Sequence, residues 1–341
     1  MPFFVGPGSS PDGGLEMKSD RVGIPTATTN PGSAVVGDMY VQTVGAGSTF
    51  MLYDGNEWKI FDTPRFSATG GTKSTFNGKT IHTFTSPGEL VVEKGSGTVE
   101  YVIVGGGGAG GAQGGGGGAG GYRTGSTPVT ESVSVTVGDG ATADSDRNNT
   151  PANGSPSSVT FSTGTITSAG GGGGGARFDT AGTGGSGGGA NGNHSPSNGS
   201  AGNTPPVSPP QGNTGGNGAG SPTEASGGGG GAGAVGGNAS SNVGGAGGAG
   251  VLVPTTFRNP ATTFDPDAQW YLAGGGGGSV STSPTGTGGV GGDGGGGNAN
   301  VTYNGDGSPG ITNTGGGGGA APYQRTGGPG GRGIVLIAYP T

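Results

Sequence analysis

Short stretches of alternating apolar and polar residues open this chain, then almost vanish, then return once at its end. His82-Thr83-Phe84-Thr85 runs through the turn Ser86-Pro87-Gly88 into Glu89-Leu90-Val91-Val92-Glu93. After Gly95-Ser96-Gly97 comes Thr98-Val99-Glu100-Tyr101-Val102-Ile103-Val104. Residues 131–137, 158–161 and 165–167 keep the same period of two, which a half-buried antiparallel sheet requires. An apolar strand, Ile334-Val335-Leu336-Ile337-Ala338-Tyr339, closes the chain. Together these segments predict a small β-sandwich base over 65–104, 127–168 and 334–339. Further upstream, residues 37–43 and 50–61 read as short strands with an Asp54-Gly55 tight turn. Tyr40, Leu52, Tyr53 and Trp58 can form a small aromatic cluster there. A module of about 30 residues cannot bury enough surface to stand alone, so it is expected to lean on a partner. The division is an N-terminal tail and β module over 1–64, then a second domain over 65–341.

Glycine fills the interval. The chain has 341 residues and 94 glycines, and only 16 of those lie before residue 105. Runs occur at 105–108, 114–118, 170–175, 227–231, 274–278, 294–297 and 315–319, between stretches rich in Ser, Thr, Asn, Pro and aromatics. A flexible linker is the simplest reading of such composition. A linker, however, has no use for repeated runs of similar length, nor for a clean strand afterwards. The alternative is a bundle of polyproline-II-like rods, with three residues per turn, about 3.1 Å rise and every backbone group pointing outward. Without a Cβ, such rods can approach closely and bond laterally through N–H···O=C and Cα–H···O contacts. The expected bundle occupies mainly 105–121 and 169–333. The fold class is therefore mostly β with irregular structure: a small sandwich, a polyglycine II bundle with display loops, and little or no α-helix.

Composition then removes whole classes of function. Each Gly in a helix interior costs about 1 kcal/mol against Ala, so an ordinary helical or α/β enzyme core is excluded. No cysteine means no disulfide scaffold. Thirteen Lys and Arg against twenty Asp and Glu give a net charge of −7, which leaves no basic footprint for nucleic acid. No signal peptide is read at Met1–Gly8, and no apolar run approaches the ~20 residues of a membrane span.

Three segments carry a resemblance. Lys79–Gly88, Val99–Gly108 and Gly331–Ile337 together resemble the glycine-rich domain of bacteriophage tail-fibre and virion proteins, over roughly 69–339. The 37–61 stretch is similar to a short module recurring in phage fibre and appendage proteins. Glycine-rich adhesins at the tips of some phage fibres also display variable loops on polyglycine rods. The resemblance implies a virion attachment protein at the particle surface, on tail fibre or capsid. It also implies other virion structural proteins as partners, a bacterial surface glycan or outer-membrane protein as receptor, and a homotrimer. A structural capsid or tail decoration protein without receptor binding is the alternative.

No catalytic set emerges. Gly-x-Gly-x-x-Gly matches arise by chance at this glycine density, and Gly78-Lys79-Thr80 lacks both the first glycine and the following helix of a phosphate loop. Residues 288–293 match the start of a calcium-binding nonapeptide once, whereas that fold needs stacked repeats. Asp139, Asp144 and Asp146 could hold a hard cation but read better as a solvated turn. His82 and His194 lack neighbouring acids or nucleophiles. The chain is read as a non-enzyme with no cofactor and no metal. Aromatic and Arg residues in loops are the types that dominate binding surfaces. On that ground Phe257, Arg258, Phe264, Trp270, Tyr271, Tyr303, Tyr323 and Arg325 are candidate receptor contacts, with Arg177-Phe178-Asp179 another loop of the same kind. Trp270, Phe257 and Phe264 could instead pack a local cap on the bundle. Tyr40, Tyr53 and Trp58 are the candidate virion-anchoring residues.

Overall fold

The structure, a computed structural model, describes residues 26–27, 32, 35–36, 38–44, 47–60, 65–143, 145–193, 197–220, 224–267, 269–280, 286–300 and 305–341. It contains two compact units, residues 1–65 and 66–341. In the first, β1 (Thr26–Ala27), β2 (Met39–Val44), β3 (Gly47–Tyr53) and β4 (Trp58–Ile60) form one sheet in that order. Tyr53 pairs with Trp58 across the β3–β4 turn, and their rings lie 5.3 Å apart. The Asp54 carboxylate accepts the Asn56 and Glu57 N–H groups, each at 2.9 Å, and meets Lys59 Nζ at 3.0 Å. Those backbone donors, with the lysine second, hold its pKa down at about 2. Tyr40 pairs with Met51 along β2, and its side chain lies outside the described residues.

The second unit contains the sandwich. Its strands are β5 (Ser67–Thr69), β6 (Thr72–Phe76), β7 (Lys79–Phe84), β8 (Gly88–Lys94), β9 (Gly97–Val104), β10 (Tyr122–Val129), β11 (Val133–Thr136), β12 (Ser157–Phe161) and β13 (Gly164–Ser168). The short strands β14 (Val251–Leu252) and β15 (Tyr271–Leu272) pair with each other, and β16 (Ile334–Pro340) ends the chain. One sheet runs β10-β9-β16-β7-β6 and the other β13-β12-β11-β8-β5. The closing strand sits at the centre of its sheet, antiparallel to both β9 and β7. Between the sheets lie Leu90, Val99, Tyr101, Ile103, Val135, Val159, Phe161, Val335 and Ile337, all buried. Among the described residues there is no α-helix, only a single 3-10 turn at Thr255–Phe257.

The glycine runs form rods whose bonding follows a three-residue beat. Gly105, Gly108 and Gly111 donate to Gly121, Gly118 and Gly115, so residues 105–111 and 115–121 are antiparallel neighbours in steps of three. Rod 115–121 in turn donates in three directions. Gly115, Gly118 and Gly121 reach Gly175, Gly172 and Ala169; Gly116 and Ala119 reach Gly227 and Gly230; Gly117 and Gly120 reach Gly318 and Gly315. Its carbonyls accept from three more rods, through Gly108, through Ser186 and Gly189, and through Gly276. Rod 115–121 thus lies among six others: 105–111, 169–175, 186–189, 227–230, 274–278 and 315–318. Three residues per turn rotate successive N–H groups by about 120°, which is the geometry of polyproline II and the reason one rod serves so many neighbours.

The bundle also takes in part of the 127–168 stretch expected for the sandwich. Ala141 donates to Gly107 and Gly154 to Gly171, so the segments around Ala141 and Gly154 run as rods beside 105–111 and 169–175, not as part of the sandwich. Strand β10 likewise starts at Tyr122, directly where its rod ends.

Candidate functional site

Because rods leave and re-enter the sandwich, their connecting loops sort to two ends. Residues 105–111 leave β9 and therefore carry Ala112-Gln113-Gly114 to the end away from the sheets. There Gln113 N–H donates to Ala321 O at 2.9 Å, Asn191 Nδ2 donates to Gln113 O, Ser279 N–H donates to Gly114 O at 3.2 Å, and Ser226 N–H donates to Ser279 O at 2.9 Å. These residues are buried, so loops distant in sequence are knitted together beneath this end of the bundle.

At the same end, Arg177 N–H donates to Arg147 O at 2.8 Å, which joins the backbones of two more loops. Arg147 Cζ lies 4.9 Å from the Tyr323 ring centroid, and Arg177 Cζ 5.0 Å from that of Phe178. Phe178 is 63% exposed, while Tyr323 and both arginines are half-buried. The Arg147 guanidinium bonds the Tyr323 phenol and lowers its pKa, with Arg177 contributing by charge. With its amide oxygen turned to Arg177, Asn193 accepts from Nε at 3.1 Å and donates to Glu224 at 3.2 Å. The nearest acids are otherwise engaged. Asp179 accepts from Thr180 N–H at 2.8 Å and Thr150 N–H at 3.3 Å, and Asp146 from Asn148 N–H at 2.8 Å and Asn149 Nδ2 at 2.7 Å.

The 251–273 loop lies at the opposite end and points inward. Phe257, 2% exposed, packs with Val253, Leu272 and Ala273 on the outer face of β9 and β16, against Val102, Val104, Leu336 and Ala338. Phe264 and Trp270 pack partly against the same cluster. Thr256 Oγ1 donates to Glu100 of β9 at 2.6 Å, and Arg258 Nε to Val253 O at 2.8 Å. Buried Asp265 accepts the Gly294 and Gly295 N–H groups at 2.7 and 2.8 Å, where the chain turns through φ of 94° and 90°. Tyr271 is half-buried in β15. The expectation of Phe257 as an exposed contact is thereby corrected, since it is buried in a cap against which Phe264 and Trp270 pack in part, while Arg258 and Tyr271 are half-buried. A sheet apolar on both faces must be covered on both, and this loop is the cover.

Tyr323 remains at the far end, beside half-buried Arg325. Tyr303, His194 and Asp144 lie outside the described residues. Asp139 pairs with Arg332 Nε at 2.8 Å. His82 is buried, its Nδ1 2.6 Å from Gly70 O and its Nε2 3.2 Å from the Tyr339 hydroxyl. Among the described residues, no cluster of His, Cys, Asp and Glu could hold a metal ion. A groove of about 570 Å³ runs beside the edge strand β13. Its polar lining residues Asn153 and Gln211 are committed to backbone partners, and Arg123 is its sole charged group.

Compared with known proteins, residues 83–340 match a family described as a glycine-rich domain. The chain belongs to this glycine-rich domain family. The match begins within β7 and ends on β16, so it takes in most of the sandwich and all of the rods. No curated protein matches the chain. Sequence reasoning missed Arg147, Asn193 and Glu224 in the glycine-rich domain. Nothing local marks them, since each becomes part of the surface only through rods that fold back from elsewhere.

Proposed function

We propose that this chain is a bacteriophage virion appendage protein, of tail-fibre or adhesin type, that attaches the particle to the host cell surface. One observation carries the reading. A scaffold braced by lateral backbone bonds presents, at the end away from its sandwich, a cluster of aromatic and guanidinium side chains drawn from separate loops. Such side chains on a rigid support are the usual makings of a recognition surface. The N-terminal unit, with Tyr40, Tyr53 and Trp58, is assigned to anchoring on other virion proteins. Assembly as a homotrimer would multiply weak contacts through effective concentration. The receptor is a surface glycan or an outer-membrane protein.

The test exchanges residues 176–180 and 321–326 for Gly/Ser-rich loops of equal length and measures adsorption to a panel of bacteria. Loss of adsorption with an unchanged melting temperature supports attachment. Adsorption that is absent from the parent protein, or unchanged in the exchange, removes it.

A further inference from the structure

Arg147, Arg177, Phe178, Asn193 and Tyr323 gather at the far end of the bundle. Arg147 and Arg177 are joined through a backbone bond of 2.8 Å, and both guanidinium groups act on the one Tyr323 phenol, although like charges repel. Neither forms an ion pair with a described carboxylate. Asp146 and Asp179 are turned to backbone and amide donors, and Asn193 stands between Arg177 and Glu224. In a chain of net charge −7, two arginines kept out of direct neutralisation are conspicuous. Each lies over an aromatic face, which positions the planar group and leaves edge N–H donors for a ligand. Both guanidinium groups favour the ionised Tyr323 phenol, Arg147 first by a hydrogen bond and Arg177 by charge.

We propose that Arg147 and Arg177 bind a carboxylate or phosphate group borne on a saccharide, whose ring lies against the exposed face of Phe178. Guanidinium groups bond such anions in bidentate fashion, at roughly twice the strength of neutral hydrogen bonds. Polarised C–H groups of a pyranose match the negative face of an aromatic ring. Asn193, already oriented by Glu224, offers its amide to ring hydroxyls. This inference names the ligand class for the attachment surface and rests on that reading for its biological setting, not for its chemistry.

The experiment titrates the full chain by calorimetry with three probes: an oligogalacturonate, a phosphomannan oligomer and neutral dextran. One or both charged oligomers should bind, dextran should not, and affinity should fall as salt rises. An Arg147→Gln/Arg177→Gln double variant should weaken binding by about ten-fold or more. Arg147→Gln should also raise the Tyr323 phenol pKa, read by its ultraviolet titration. Should the double variant lose its structure, Phe178→Ala at a 63% exposed position takes its place, again with weakened binding expected. Absence of binding to both charged oligomers overturns the inference, as does binding untouched by these variants. If cells are still bound in that case, the receptor is a protein or an uncharged glycan and the attachment reading survives alone. Charged-oligomer binding without adsorption to any cell supports the saccharide site and removes the attachment reading.

Discussion

Adding one methyl group at Gly116 tests the backbone lattice directly. A Cβ built there sits 2.0 Å from Gly276 O, 2.5 Å from Gly276 C and 2.9 Å from Gly229 N, all backbone atoms of two other rods. Ordinary contact needs well over 3 Å, so a rod must shift by more than 1 Å; no flexible side chain is present to yield. That shift strains the bond from Gly116 N–H to Gly227 O at 3.1 Å and the one from Gly229 N–H to Gly276 O at 2.8 Å. Overpacking costs about 1–3 kcal/mol, and each buried group left unpaired about 1–3 kcal/mol more. Against this, Ala stabilises by about 0.4–1 kcal/mol through the unfolded chain. The net expectation for Gly116→Ala is a loss of about 3 kcal/mol or more, a fall in melting temperature on the order of 6–12 °C for a domain this size. Gly220→Ala is the matched control, because nothing lies within 4 Å of its Cβ and its φ is not positive. It should be neutral or slightly stabilising. Urea denaturation of both variants with unchanged slope decides the matter. If Gly116→Ala proves as benign as Gly220→Ala, the rods are not held by close backbone contact.

Burial lowers the His82 pKa, with Lys73 adding repulsion. The neutral ring is favoured in the folded state, so the unfolded chain binds more protons as pH falls below about 6.5. Stability should therefore be full above that pH and decline below it, by no more than about 1.4 kcal/mol per unit. Urea midpoints from pH 7.5 to 5 should show this slope in the parent protein and a flatter one in His82→Gln. Asp265→Ala leaves the buried Gly294 and Gly295 donors unpaired and should cost about 3 kcal/mol, with Asp265→Asn milder because an oxygen remains; equal denaturation midpoints would contradict the assigned bonds. Phe257→Ala empties the cap over β9 and β16 and should cost about 3–5 kcal/mol. At a temperature where that variant stays folded, its adsorption should match the parent's. Amide exchange should be slowest at Gly115–Gly121, the rod with neighbours on all sides, and rapid exchange there would return the runs to linker status.

Strands and rods were legible for different physical reasons: strands show their period of two locally, and rods show as repeated glycine runs of similar length, because only a chain without Cβ atoms can pack polyproline II turns this closely. The 251–273 loop was not. Aromatic and Arg side chains look alike in sequence whether they face water or a sheet. The signal that could have placed them lay in Ile334–Tyr339, a run without alternation that needs cover on both faces. The Arg147–Tyr323 contact joins positions far apart in sequence, and no local pattern encodes a meeting made by rods returning through the bundle.

A lattice fastened by peptide groups has a thermal character of its own. Unfolding an ordinary domain exposes much apolar surface and raises the heat capacity by about 12–15 cal/mol/K per residue, whereas newly wetted polar surface lowers it. Rods built from glycine expose mostly peptide, so the second unit should unfold with a small heat-capacity change per residue. Its stability curve is then broad and shallow, with little loss toward the cold, where hydrophobic burial weakens. Scanning calorimetry would read that flatness directly, and it would suit a structure that must keep one shape across a wide range of temperatures.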